Sequence, residues 1–195
     1  MFDQIKFESM IVRIRSGDQL AAEELVLHYE PLIRREARLQ IRDHRLLRLF
    51  DSQDICQSVL ASFFARTALG EYDLETPENL VKLLAIMTRN KVATATQRQH
   101  RKRRDSRRNQ GLDQMQSVVS ETPSPSETVS SRELLEQFLA RFSDEERSLA
   151  NLRRDGHSWA QIAVQLGGTH QSRRMQLSRA IDRISRQIGI DEPDA

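Results

Sequence analysis

The chain's most chemically expressive residues crowd into three helical turns near its end: Thr169, His170, Gln171, Ser172, Arg173, Arg174, Gln176 and Arg179. Such side chains suit recognition of a polyanion rather than covalent chemistry. An arginine fork matches the acceptor pair of guanine, a glutamine amide matches adenine, and hydroxyls reach phosphate oxygens. A second group, Asn90, Lys91, Thr94, Arg98 and Arg101, falls at three- and four-residue steps along one side of a helix. Lys102, Arg103, Arg104, Arg107 and Arg108 extend it into a basic run with Asp105 inside. That run is the electrostatic footprint of phosphate binding, although a solvated helix end would carry the same residues. Enzymatic signals are missing by contrast. His28, His44, His100, His157 and His170 are scattered without metal-ligand spacing, so the residues suggest no metal, cofactor or recombinase or nuclease centre.

The elements that must present these groups are helices. Ser158 with Gln161 forms a capping-box pattern, and Ile162 and Leu166 then share the inner face of a short helix. Gly167-Gly168 supplies a tight turn, and Thr169 caps the next helix. Behind the polar residues, Leu177, Ile181, Ile184 and Ile188 recur at steps of four, three and four as one dry seam. Two helices joined this way read as a helix-turn-helix whose second member enters a major groove. Trp159 reads as a wedge in its core. Upstream, Ser130 with Glu133 and Ser143 with Glu146 mark two further helix starts, and Gly156 ends the second helix.

The N-terminal part reads as a separate bundle. Met10, Ile11 and Ile14 lie on a helix stopped near Gly17, and Asp18 caps a second helix that Pro31 is expected to bend or divide. A third helix begins at Asp51, with Ile55, Cys56, Val59, Leu60, Phe63 and Phe64 on a wide apolar face and Asp54, Gln57, Ser58 and Ala61 as a small polar stripe. Taken alone, the stripe is ordinary solvation. A fourth helix starts at Thr76-Pro77, buries Leu80, Leu83, Leu84 and Met87, and continues as the basic rod. Between the bundles, Gly111 to Ser131 contains Thr122-Pro-Ser-Pro-Ser126 without an apolar period and reads as a linker.

Bulk properties agree with an all-α chain of two small helical domains. It has 195 residues, is 30% charged and 5% aromatic, and carries a formal net charge of +2 that is unevenly spread. One cysteine excludes an internal disulfide and fits a reducing compartment. No signal-peptide pattern or membrane-length apolar run is present, so a cytoplasmic protein without membrane insertion is expected.

In their order, these segments resemble a bacterial sigma factor of the extracytoplasmic-function (ECF) class. The resemblance rests on Gly17-Asp18, Glu24-Leu25 and Tyr29, then Asp51-Ser-Gln-Asp-Ile-Cys-Gln-Ser-Val-Leu-Ala-Ser-Phe-Phe64, Leu83-Leu84 and Arg89-Asn90. It continues through Gly156, Gln161-Ile-Ala163, Leu166-Gly167 and Leu177-Ser-Arg-Ala180. The Leu-Gly-Gly-Thr turn and Gln57-Ser58 look most like the planctomycete variant of that class. The resemblance implies a factor that binds core RNA polymerase, directs it to promoters and assists opening, with no catalysis of its own.

It further implies a region-two-like domain over 1–108, a linker over 109–130, a region-four-like domain over 131–190 and a tail over 191–195. Asp51, Asp54, Gln57, Ser58 and Ala61 would meet the beta-prime clamp. Tyr72 and Asp73, in the loop that captures an unstacked base, would serve the minus-ten element with Asn90, Lys91, Thr94, Arg98 and Arg101. Thr169, His170, Gln171, Ser172, Arg173, Arg174, Gln176 and Arg179 would serve the minus-thirty-five element. Promoter DNA, the beta flap and an anti-sigma factor complete the partners that the resemblance allows. Arg173 stands where the family usually has an inward apolar residue, so either Met175 and Leu177 take over the packing or the helix turns slightly. The alternative is a stand-alone helix-turn-helix regulator with an N-terminal dimerisation or sensing domain.

Overall fold

The computed structural model describes residues 3–41, 52–109 and 131–190, with side chains described for all of these except 102–109 and 131–135. Among the described residues there are eight helices and no strand, so the chain is all-α: α1 (Gln4–Arg15), α2 (Gln19–Gln40), α3 (Ser52–Ala68), α4 (Pro77–Asn109), α5 (Ser131–Arg141), α6 (Asp144–Arg154), α7 (Trp159–Leu166) and α8 (His170–Gln187). Asp51, the cap at Ser130, residues 110–130 and the 191–195 tail lie outside the described residues. No described helix is long and apolar enough to cross a membrane.

Local chemistry fixes the helix starts. Asp18 Oδ1 accepts from the Ala21 amide at 3.1 Å, and Thr76 Oγ1 accepts from the Asn79 amide at 3.2 Å, ahead of Pro77. Ser143 with Glu146 and Ser158 with Gln161 make reciprocal capping boxes. Thr169 goes further than a lone cap, because Ser172 answers its amide and closes a third box. Each such cap satisfies amides that the helix cannot pair internally, worth about 1 kcal/mol.

Pro31 does not divide its helix. α2 runs through it for 22 residues. The residue four places earlier, whose carbonyl loses its amide partner to the proline, is Leu27, and it is 79% exposed. Water can satisfy a carbonyl on that side. The opposite face, Leu25, Tyr29, Ile33 and Ala37, is buried and holds the helix in one piece.

Two apolar clusters organise the chain. The first gathers Phe7, Met10 and Ile14 of α1, Leu25 and Ile33 of α2, Ile55, Val59 and Phe63 of α3, and Leu80 and Leu84 of α4. The second gathers Phe138 and Phe142 of α5, Leu149 of α6, Trp159 and Ile162 of α7, and Leu177, Ile181 and Ile184 of α8. Ala65 and Leu69, at and just beyond the C-terminal end of α3, also belong to this second cluster. One helix therefore serves both cores. Its first three turns anchor the N-terminal bundle, and its end is buried by the C-terminal one.

Candidate nucleic-acid interface

Gly167 and Gly168 make the turn into α8 with φ of +76° and +82°, a region that side chains with a Cβ adopt only under strain. Behind the turn, Leu177, Ile181 and Ile184 bury the rear of α8 completely. Its front carries His170, Gln171, Ser172, Arg174 and Arg179, all exposed, with Gln176 half-buried. Thr169, Gln171, Ser172, Gln176 and Arg179 line one groove of about 650 Å³. Thr169 and Ser172 cap the helix as well as facing outward.

Arg173 is engaged differently from its neighbours. Its Nε donates to the Gly167 carbonyl at 2.8 Å, and its terminal nitrogens donate to the Leu166 carbonyl, to Gln176 Oε1 at 2.7 Å and to Glu145 Oε1 at 2.5 Å. Only 13% of the side chain is exposed. Arg173 thus ties off the carbonyl end of α7 and holds both the first turn of α6 and its own helix. Hydrogen bonds from Arg173 and Gln176 draw the Glu145 carboxyl below its ordinary value. Of the residues expected to take over packing here, Leu177 is buried but Met175 remains 46% exposed. The arginine itself fills the inward position, using carbonyl acceptors in place of apolar contacts.

On α4 the hydrogen-bonding side is graded. Asn90, Arg98 and Arg101 are exposed, whereas Lys91 and Thr94 are half-buried. Lys91 Nζ donates to the Ile190 carbonyl at 2.8 Å, reaching across to the C-terminal bundle. On α3, Asp54 and Gln57 are exposed and Ser58 and Ala61 are half-buried, while Ile55, Cys56 and Val59 between them face the core. Burial, with Glu30 nearby, pushes the Cys56 thiol up to about 11, so this cysteine is a packing residue.

The loop from Leu69 to Glu75, which joins α3 to α4, is gripped from both sides. Tyr72 turns inward, its ring stacked on Phe63 at 6.3 Å, its hydroxyl 3.8 Å from Met87 Sδ and its carbonyl receiving Arg15 Nη2 at 2.8 Å. Asp73 reaches the other way. One of its carboxylate oxygens accepts from Arg153 Nη2 at 2.5 Å and the other from Trp159 Nε1 at 3.1 Å. Arg153 also donates to the Gly70 carbonyl at 2.9 Å and to the His157 carbonyl at 2.7 Å, and its guanidinium lies 4.3 Å from the centre of the Trp159 ring.

A second polar node lies beside it. Arg66 bridges Glu71 at 2.9 Å and Asp182 at 2.6 Å, and Ser178 donates to Glu71 at 2.9 Å. Burial pushes the Glu71 carboxyl above its ordinary value, with Asp182 adding to the rise and Arg66 and Ser178 opposing it.

Arg66, Glu71, Arg153, Ser178 and Asp182 are not among the site residues that the sequence leads one to expect. One signal existed: Arg153 continues the buried face of α6 four residues after Leu149. An arginine on an apolar period needs a partner.

Among the described residues the chain is all-helical, with a capped polar helix at α8, a long basic-ended helix at α4 and an outward polar stripe on α3. The sequence matches the family profile described as ECF sigma factor over residues 4–188, nearly the whole chain, and the protein belongs to that family. It is therefore a sigma factor, a DNA-binding component of transcription initiation and promoter recognition. Neither curated proteins nor solved structures give a match.

Proposed function

We propose that this sigma factor binds core RNA polymerase through the exposed start of α3, reads promoter DNA with α4 and α8, and assists strand opening at the loop joining α3 to α4. The observation that carries the reading is on α3. Its core-facing residues are sunk between two apolar clusters, yet Asp54 and Gln57 stay exposed. An acidic and amide pair on a helix held this rigidly suits docking on a basic partner helix such as the beta-prime clamp.

In this reading residues 1–108 and 131–190 act as the two promoter-reading domains, joined by 109–130, and the second also meets the beta flap. Asn90, Arg98 and Arg101 follow the backbone of the minus-ten region, with Thr94 and Lys91 beside them. Gln171, Arg174, Gln176 and Arg179 enter the minus-thirty-five major groove, where His170, Thr169 and Ser172 approach phosphate at the helix N-terminus. Arg173 orients them rather than reading a base. All chemistry belongs to the polymerase, and the protein works where the polymerase is, in the cytoplasm.

Replacing Asp54 and Gln57 together by arginine is expected to reduce core co-purification at least tenfold while leaving helicity unchanged, because like charge against a basic face costs several kcal/mol. Unchanged co-purification would remove the clamp assignment. Failure of the wild-type chain to bind core, together with tight binding of the free chain to a palindromic operator, would favour the stand-alone regulator.

A further inference from the structure

We infer that the chain holds itself shut: Arg153 and Trp159 of the C-terminal bundle clasp Asp73, and Ser178 and Asp182 of α8 engage the Arg66–Glu71 pair, so that the loop proposed to capture DNA is closed by an autoinhibitory latch. The closure is geometric. The inhibitory meaning rests on the proposed role of the loop.

Three features mark the contact as built rather than incidental. First, Arg153 is 6% exposed and spends its hydrogen bonds on both sides of the interface, with Gly70 and Asp73 across it and His157 within its own bundle. An arginine buried that deeply leaves an unpaired charge unless Asp73 is present. Second, the surfaces fit without room to spare. A Cβ at Gly70 would lie 2.8 Å from Arg153 Cβ and 3.2 Å from its carbonyl carbon, so the residue without a side chain stands where the two bundles touch. Third, Ala65 and Leu69 supply apolar area to the C-terminal core, which would be exposed on separation. Lys91 and the Ile190 carbonyl add a further link from the rod.

The latch is selective in what it engages. Asp73 keeps 44% of its side chain exposed but has both carboxylate oxygens occupied, and Glu71 is buried. Gln171, Arg174 and Arg179 on α8, and Asp54 and Gln57 on α3, stay exposed in the same closed form. The free chain can therefore present its polymerase-facing stripe and recognition helix while withholding the strand-capturing loop. Engaging that loop requires breaking the clasp, which couples the loop's availability to whatever separates the bundles.

Trp159 is the only tryptophan, so its fluorescence reports the clasp directly. Two full-length variants test the latch: Asp182→Lys, which sets a cation against Arg66, and Arg153→Met, which removes the clasp. Circular dichroism checks that each keeps its helices, and amide exchange over residues 70–75 gives an independent readout. Opening is expected to shift Trp159 emission to the red, raise acrylamide quenching and speed exchange in the loop. If the closed form outweighs the open one about tenfold, the free variants should also bind a mixed-sequence fluorescein-labelled single-stranded oligodeoxynucleotide about tenfold more tightly than wild type. For Arg153→Met, affinity for a labelled duplex of the same sequence should not rise, and for Asp182→Lys the single-strand gain should exceed the gain on that duplex that the added charge brings.

Emission and exchange that match wild type in both variants would overturn the closure. Opening without a gain in single-strand affinity would overturn the inhibitory role. Core binding by wild type is scored separately: its loss would remove the proposed function and leave the Trp159 response intact.

Discussion

The front of α8 and the loop between α3 and α4 face DNA in the same proposed mechanism but stand in opposite conditions. On α8 the polar residues project from a helix whose rear is dry and whose start is boxed by Thr169 and Ser172. The loop has no regular hydrogen-bonding ladder, and its position comes from Arg15 on one side and Arg153 on the other. A helix keeps its reading face because backbone hydrogen bonds fix it. A loop takes the arrangement that its partners impose, so the same residues can be withheld or presented.

The sharpest way to break this contrast is Gly70→Ala. The left-handed φ of +72° costs about 1–2 kcal/mol with a Cβ, and the contact with Arg153 adds an overpacking penalty, for a total of about 3 kcal/mol. Gly156→Ala, with φ of +90° and open space around its Cβ, should cost only the strain of about 1–2 kcal/mol. Thermal melts of the two variants measure the difference, and equal losses would mean that the loop is not closely covered.

Within α8, Arg173→Ala should cost about 2 kcal/mol by removing the charge-assisted hydrogen bonds to Glu145 and to the Leu166 and Gly167 carbonyls, and it should weaken DNA binding by loosening the helix. Arg174→Ala should change stability by less than about 0.5 kcal/mol yet still weaken DNA binding. If denaturation separates the two variants less than binding does, Arg173 reads DNA directly.

The smallest effect is a dependence on pH. The Glu71 carboxyl has a raised pKa in the closed form and regains an ordinary one when the loop is solvated. Closing therefore takes up a proton. Its contribution is fully present below the ordinary carboxylate value and is lost as pH rises through the raised one. Acidification through that window should shift Trp159 emission toward the closed form, and Glu71→Gln should abolish the shift.

Much of this was legible in the sequence because it is periodic or local. The boxes at Ser143 and Ser158, the seam from Leu177 to Ile184 and the polar stripe of α3 each follow from spacings within one helix. Of the two outcomes that Pro31 predicts locally, a bend or a division, the division does not occur, because the buried face of α2 keeps the helix continuous. The family resemblance singles out Asp73 for the loop, but nothing local marks it as the partner of Arg153, which lies 80 residues away. Polar contacts at that separation leave no period. Arg173 shows the remaining limit: an arginine aimed at carbonyl oxygens and one aimed at guanine occupy the same place in a sequence.

The two bundles are parts of one chain, with α4 ending at Asn109 and α5 beginning at Ser131. Their meeting is consequently unimolecular. Tethered partners face each other at an effective concentration that reaches the millimolar range for short connections. A contact too weak to join separate molecules can thus keep this one folded on itself, at any protein concentration. Making more of the protein would multiply closed and open copies alike without altering their ratio. At a given pH and temperature, only a ligand with unequal affinity for the two forms changes that ratio, which makes abundance and activation independent controls.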